Sequence, residues 1–206
     1  IVKRPISGIV LMRVSREKFA ENREKIIQAA GVMFRENGFD GVGVADIMKA
    51  CGLTHGGFYG HFQSKDELQI EVSRALVARV EVRWKELIAQ SPDRPLEALV
   101  EHYVSWRAVD DPGNSCVFVS LMDEVGRSTG AVREIFNDGF EKLAAILAEV
   151  VPGDTPEERR KNGFTTLSSM MGAVSLARAV QSRELAAQFL SSMREKLAPK
   201  SAPLKV

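Results

Sequence analysis

The sequence predicts an all-α fold, and three observations carry that expectation. Apolar residues recur at helical spacing along the chain, the breaks between those runs hold Gly, Pro, Asp and Asn, and no stretch alternates β-branched with polar residues as a half-buried strand would. A first helix over 17–37 carries Ile26, Ile27, Ala30, Met33 and Phe34 on one face and stops at Gly38, since glycine readily takes the left-handed conformation past a helix end. Two short helical pieces follow near 44–51 and 55–61. Ser64 and Glu67 form a capping box, in which the serine caps the helix and the glutamate reaches back. The helix so opened carries Leu68, Val72, Leu76, Val80, Trp84 and Leu87 and runs to residue 90. Ser91 to Pro95 breaks the chain, a further helix passes through Leu96, Leu99, Val100, Tyr103 and Val104, and Asp110 to Asn114 reads as a turn. Helices are expected at 115–126 and 130–151. After the loop Val151 to Thr155, a second capping box (Thr155 and Glu158, with Pro156 at the first helical position) opens a helix over 156–181, and a last one covers 183–197.

Composition narrows the function classes. The 206 residues hold 28 Lys and Arg against 27 Asp and Glu, so any nucleic-acid-binding surface must be local rather than global. Cys51 and Cys116 lie far apart, with no metal-ligand or disulfide spacing, which fits a reducing, cytoplasmic setting; no cofactor or metal is expected. No apolar run reaches the roughly 18 residues of a membrane span. The short apolar stretch Ile6 to Met12 contains Gly8 and reads poorly as a signal peptide. Met12 could be a native start, or Lys3, Arg4 and Arg13 could form a basic arm; both readings stay open.

The segment 43–62, GVADIMKACGLTHGGFYGHF, has the layout of two short helices joined by a sharp turn. Val44 and Ile47 suit the inner side of the first. Gly52 suits the reversal, and Leu53 the space between the helices. Thr54 is a good N-cap for the second helix, whose first turn is His55, Gly56 and Gly57. A helix-turn-helix sends this turn into the DNA major groove. Phe58 and Phe62, four apart, face the core, while Tyr59 and His61 lie on other faces and can donate to phosphates. Lys65 puts a positive charge beside the free N–H groups of the next helix start, a natural phosphate site. Glycines at 56, 57 and 60 would each cost about 0.5–1 kcal/mol of helix stability, which close approach of backbone to DNA would explain.

The run GFDGVGVADIMKACGLTHGGFYGHFQSKDEL from Gly38 resembles the DNA-binding region of the tetracycline-repressor (TetR) family, with FYGHFQSKDEL its most diagnostic part. The likeness covers roughly residues 20–70, and the helix pattern behind it fits too. It implies about nine helices, a homodimer on a palindromic double-stranded DNA operator, and a repressor controlled by a small-molecule effector. By this likeness Thr54, Gly56, Gly57, Tyr59, His61 and Lys65 contact DNA. The implied division is a helix-turn-helix head over 16–63 and an effector-binding and dimerisation domain over 64–199. Two positions depart from the family pattern. Val42 and Gly43 stand where a Thr-Ser pair is common, so no hydroxyl reaches a phosphate there, and Met48 replaces a small alanine, which implies looser packing between the short helices.

In the body, Phe164, Leu167, Met171, Val174 and Val180 on one helix and Leu185, Phe189, Met193 and Leu197 on the next form apolar stripes for a partner chain or for the body of the same chain. Gly172, Ala173 and Ala177 permit close helix approach. Effector-pocket candidates are Tyr103, Trp106, Cys116, Phe118, Met122, Phe136 and Phe140, each equally readable as core. The Gly113-Asn-Ser-Cys116-Val run resembles a glycine-cysteine helix start in a subgroup of the family. Cys116 is therefore either a thiol activated at a helix N-terminus, able to sense oxidants or electrophiles, or a small buried hydrophobe. A Cys116–His102 dyad is the one enzyme-like alternative, and it lacks a nucleophile elbow, a glycine-rich phosphate loop and a carboxylate pair.

Overall fold

A computed structural model describes residues 16–198; Lys3, Arg4, Met12, Arg13 and the whole of the opening stretch lie outside the described residues. All regular structure among those residues is helical. In chain order the helices are α1 (Arg16–Asn37), α2 (Val44–Ala50), α3 (Phe58–His61, preceded by a 3-10 turn His55–Gly57), α4 (Lys65–Gln90), α5 (Pro95–Tyr103), α6 (Trp106–Asp110), α7 (Val117–Ser120, after a 3-10 turn Pro112–Asn114), α8 (Met122–Arg127), α9 (Ala131–Ala148), α10 (Pro156–Ala179) and α11 (Arg183–Leu197). The long α4 lies at the centre, packed on α1, α5 and α9, while α9, α10 and α11 stack side by side behind it.

Both capping boxes form. Ser64 Oγ accepts from Glu67 N–H and Thr155 Oγ1 from Glu158 N–H, each at 3.1 Å. In each case the glutamate reaches one residue further back than the cap itself, accepting from Gln63 N–H (2.6 Å) and Asp154 N–H (2.9 Å). Gly38 ends α1 at φ 76°, with its N–H on Phe34 C=O.

Two expected helices are broken. The run through Val104 stops at Tyr103, and Ser105 starts α6, its hydroxyl accepting from Ala108 N–H at 3.3 Å. The expected helix 115–126 splits at Leu121, whose dihedrals (φ −116°, ψ 9°) leave the helical range. Bonds from distant parts of the chain fix this break. Ser115 and Ser120 hydroxyls both donate to Pro112 C=O, and the Arg178 guanidinium from α10 donates to both hydroxyls and to Ala108 C=O.

Close helix crossings fall at glycines other than the expected ones. A Cβ on Gly139 would lie 2.6 Å from Phe118 Cζ and 2.8 Å from Val77 Cγ1, and one on Gly163 would lie 2.7 Å from Ala144 C=O. These two let α9 approach α4 and α10. Gly172, expected to serve a crossing, faces open space. Phe118 and Phe136 are fully buried and meet edge to face at 5.3 Å, with Phe140 against Phe118 at 4.8 Å.

Candidate nucleic-acid interface and effector cavity

α2 and α3 are too short to hold themselves, so burial and turn geometry must fix them. Ile47, Met48, Phe58 and Phe62 are buried with Ile26, Ala30 and Phe34 of α1, and the Phe58 and Phe62 rings stack at 5.5 Å. Gly52 turns the chain at φ 68°, its N–H on Lys49 C=O and that of Leu53 on Met48 C=O. Met48 is accommodated in the packed interior: it is fully buried, and its Cε lies 3.7 Å from where a Gly57 Cβ would sit, an ordinary van der Waals distance, so its fit does not require glycine at 57.

This packing pushes the opposite edge outward. Thr54, His55, Gly56, Gly57 and Tyr59 are all exposed, Tyr59 at 63%. Thr54 occupies the N-cap position with an extended backbone, yet its hydroxyl makes no cap bond, contrary to the sequence expectation. A Cβ on Gly56 or Gly60 would meet nothing within 4 Å, so the protein's own packing does not demand glycine there. Lys65 stands half-buried at the first position of α4. His61 is turned partly inward. Its ring stacks on Phe19 (4.1 Å), its Nδ1 is buried without a hydrogen-bond partner, and burial followed by nearby Arg23 holds its pKa below 6.5. Arg23 itself lies over Phe62 at 4.5 Å and pairs with Glu67 and Glu71 of α4 at 3.9 and 3.6 Å. Gly43 caps α2 with no side-chain bond, as its lack of a hydroxyl requires.

Bonds across the turn after α1 tie this reading edge to the body. Phe39 N–H donates to Glu124 Oε2 at 2.6 Å, Arg35 donates to Ser115 C=O at 3.2 Å, and Gly113 lies beneath Glu36 and Val32. Just past that seam lies a cavity of about 470 Å³, walled by α4, α5, α6 and the 114–116 segment, with Arg35 of α1 also in its lining. Of the seven expected pocket residues, Tyr103 and Cys116 line it. Trp106 lines a second cavity of about 410 Å³ between α6 and the α10–α11 corner, with Arg183 stacked over its ring at 3.7 Å and paired with Asp110 at 2.7 Å. Phe118 and Phe136 are core, Phe140 packs on Phe118, and Met122 is exposed. These four line neither cavity. Sequence reading missed the main lining: Arg35, Arg79, Arg83, His102 and Arg107 beside Leu76, Val80 and Trp84.

Burial raises the Cys116 thiol pKa above its usual 9.0, outweighing the α7 N–H groups and the Tyr103 hydroxyl that pull it down. Of the two readings open for Cys116, this favours the small buried hydrophobe over the activated thiol: α7 has four residues, and its N-terminus is too weak to offset desolvation. Cys116 and His102 line the same cavity without forming a dyad; the groups that act on His102 are its burial and then Arg83 and Arg107, which lower its pKa.

Residues 26–72 match the family described as bacterial regulatory proteins, tetR family. The AcrR regulator of Shigella flexneri is 29% identical over 72% of this chain and 75% of that protein. Residues 26–72 are thus a TetR-family DNA-binding region. The KstR2 repressor of Rhodococcus jostii is 32% identical over 43% of each chain, so this regulator spans under half the length of the KstR2 relatives it matches. In fold, the chain is similar to reduced NemR of E. coli (TM-score 0.70, 19% identity, 86% of this chain and 97% of that one). It is equally similar to a TetR-family regulator of Agrobacterium tumefaciens (TM-score 0.72, 21% identity, 87% and 98%).

The regulator's expected dimer face divides in two. Of the two readings open for this stripe, Leu167, Met171 and Val174 follow packing within the protomer and not a partner face, because α10 turns them onto its own neighbours; Ala173 and Ala177 go with them. Phe164, Leu176 and Leu185 stand exposed, and Phe189 and Met193 are half-buried. The outward stripe of α10 is therefore Phe164, Ser168, Gly172 and Leu176, open at its small residues.

Proposed function

We propose that this TetR-family regulator is a cytoplasmic homodimeric repressor that releases a palindromic operator when a small-molecule effector fills its body. The observation that carries the reading is the edge Thr54 to Gly60. Apart from Phe58 it is exposed, it is backed by the buried Phe58 and Phe62, and it holds glycines at 56 and 60 that its own packing does not require. A second molecule approaching the backbone supplies the requirement, and DNA in the major groove fits an exposed helix start of this kind. In this scheme Thr54, His55, Gly56 and Gly57 face the groove, while Tyr59, His61 and Lys65 face phosphates. Residues 16–63 form the reading head and 64–199 the sensing and dimerising body.

The exposed α10–α11 stripe, with Phe164, Leu176, Leu185, Phe189 and Met193, supports pairing of two bodies, which sets two heads about 34–36 Å apart for successive turns of DNA. No described helix is long and apolar enough to cross a membrane. The reading of Cys116 as a redox or electrophile sensor receives no support from its raised pKa.

The test is a binding titration of the purified chain against a palindromic fragment from upstream of its own gene. Wild type binds the palindrome in preference to a scrambled fragment. Lys65→Ala weakens binding to every sequence alike and lowers the slope of log affinity against log salt by about one. Tyr59→Phe weakens it without a change of slope. A wild-type protein with no preference for any palindrome overturns the proposal, and an unchanged slope in Lys65→Ala removes Lys65 from the contact set.

A further inference from the structure

Across the whole chain the two charge signs are balanced, yet the main cavity is not. Its walls hold four guanidinium groups (Arg35, Arg79, Arg83, Arg107) and His102 against a single carboxylate, Glu86. That carboxylate is already taken by Arg83 at 3.4 Å. Among the described residues Arg35, Arg79 and Arg107 form no ion pair with any carboxylate. Arg107 and Arg79 are exposed and rest in water, but Arg35 is not. Its Nε is buried and has no hydrogen-bond acceptor.

A second polar atom at the inner end is orphaned in the same way. Tyr103 is 4% exposed, and its hydroxyl is buried with no properly directed partner, only the Cys116 thiol beside it. Native proteins rarely leave such donors empty, since a donor desolvated without a bond is costly. Like charges crowd here as well: after burial, Arg79 is the largest influence depressing Arg35, and Arg83 and Arg107 depress His102. The rest of the wall is apolar, formed by Leu76, Val80, Trp84 and Ala108. The cavity of about 470 Å³ is the size that encloses a small organic molecule.

We infer that the effector is an organic anion: an acidic group held between Arg35 and Arg79, with the Tyr103 hydroxyl as inner donor, on an apolar body that lies against Leu76, Val80 and Trp84. This rests on the regulator reading above and specifies its ligand class. It also identifies the part of the head that senses the ligand. Arg35 belongs to α1, and its other bond holds Ser115 C=O across the head–body seam. An anion that draws the guanidinium toward itself pulls directly on that seam.

The probe is 8-anilinonaphthalene-1-sulfonate, an aromatic monoanion whose fluorescence rises in an apolar site, titrated into the full chain and then displaced by decanoate or by 1-decanol. Saturable binding of one probe per protomer is expected, displaced by decanoate at a concentration about tenfold or more below that of decanol, since a charge-assisted pair is worth at least one factor of ten. Arg79 is exposed and unpaired, so Arg79→Gln tests the charge with the fold intact and weakens the probe about tenfold. Arg35→Gln does the same, with its helical content checked by circular dichroism. Glu86→Gln, which removes the opposing carboxylate, tightens the probe severalfold, an effect that a merely structural role for these residues would not produce. Equal displacement by the acid and the alcohol, unchanged affinity in Arg79→Gln, or no saturable binding overturns the inference. Binding of the palindromic fragment by the same preparation, measured without any ligand, shows whether the regulator reading survives that result.

Discussion

The segments 44–62 and 105–127 are both strings of short helices joined by tight turns, yet they keep their shape by different means. The first is held by what it buries: Ile47, Met48, Phe58 and Phe62 lock onto Ile26, Ala30 and Phe34, and few of its polar groups are bound from elsewhere in the chain. The second also buries apolar side chains, Val117, Phe118, Leu121 and Val125, but in addition it is bonded from remote parts of the chain. Arg178 reaches Ala108, Ser115 and Ser120 from α10, Arg35 reaches Ser115 from α1, and Glu124 of this segment holds the Phe39 N–H at the end of the head. A packed element has one arrangement and resists deformation. A polar latch exchanges partners at little cost when a ligand offers better ones. The difference matches the division of labour proposed here, a rigid reader and a segment that a ligand can rearrange.

The contrast can be broken at either end. The largest effect is expected at Phe58, where truncation to Ala removes a fully buried ring from the reader. Phe58→Ala should cost about 3–5 kcal/mol. Thermal unfolding would show the loss, and hydrogen exchange should place it in α1 to α3 rather than in α9 to α11. If exchange rises instead throughout the body, the reader is not held by its own packing. A smaller effect is expected at Arg178. Arg178→Ala strips the latch segment of its donor fork and should cost about 1.5–3 kcal/mol, with exchange rising over 105–121 and the reader unaffected. Arg178→Lys should recover only part of this, because one ammonium cannot serve three separated acceptors as a planar fork does. Full recovery would mean that charge alone holds the segment.

The smallest effect compares the two regions by pH. His61 in the head and His102 in the body are both held below 6.5, burial being the first cause in each. Between those depressed values and about 6.5 the unfolded chain binds protons that the folded chain refuses, so stability is full above pH 6.5 and falls as the pH drops through it. His102→Gln should flatten the fall in Tm between pH 7 and pH 5, by an amount on the order of a few degrees. A fall in Tm that His102→Gln leaves unaltered would assign it to His61 or to the carboxylates.

The same contrast explains what could be read from the amino acids alone. The head was legible because its determinants are local. Gly52 at the turn, Phe58 and Phe62 one turn apart, and Ser64 with Glu67 lie within a few residues of one another and act through backbone geometry. The body's long helices were legible from periodicity for the same reason. The breaks at Val104 and Leu121 were not, because the bonds that reach that segment come from residues remote in sequence: Arg194 donates to Val104 C=O, and Arg178 and Arg35 bond the stretch from Ala108 to Ser120. The cavity was the least legible part. Arg35, Arg79, Arg83 and Arg107 sit on four different turns of three helices, where each alone reads as a solvated charge, while the aromatic residues that drew attention, Phe118 and Phe136, pack the core. Ser105 ahead of Trp106 was a usable sign of α6, since serine there is a favoured N-cap.

In this scheme cavity and reader are coupled through the α1 seam, and reciprocity measures that coupling most directly. The affinity of the palindromic fragment is measured with and without saturating 8-anilinonaphthalene-1-sulfonate, and the affinity of that anion with and without the fragment. Antagonistic coupling of 1–3 kcal/mol, about 5- to 150-fold, is predicted, with the same factor in both directions as linkage requires. Arg79→Gln should raise the anion concentration needed for this effect about tenfold while leaving the unliganded protein able to bind the fragment. An anion that fills the cavity, binds about tenfold more weakly in Arg79→Gln, and still leaves affinity for the fragment unchanged would show that cavity and reader are not coupled.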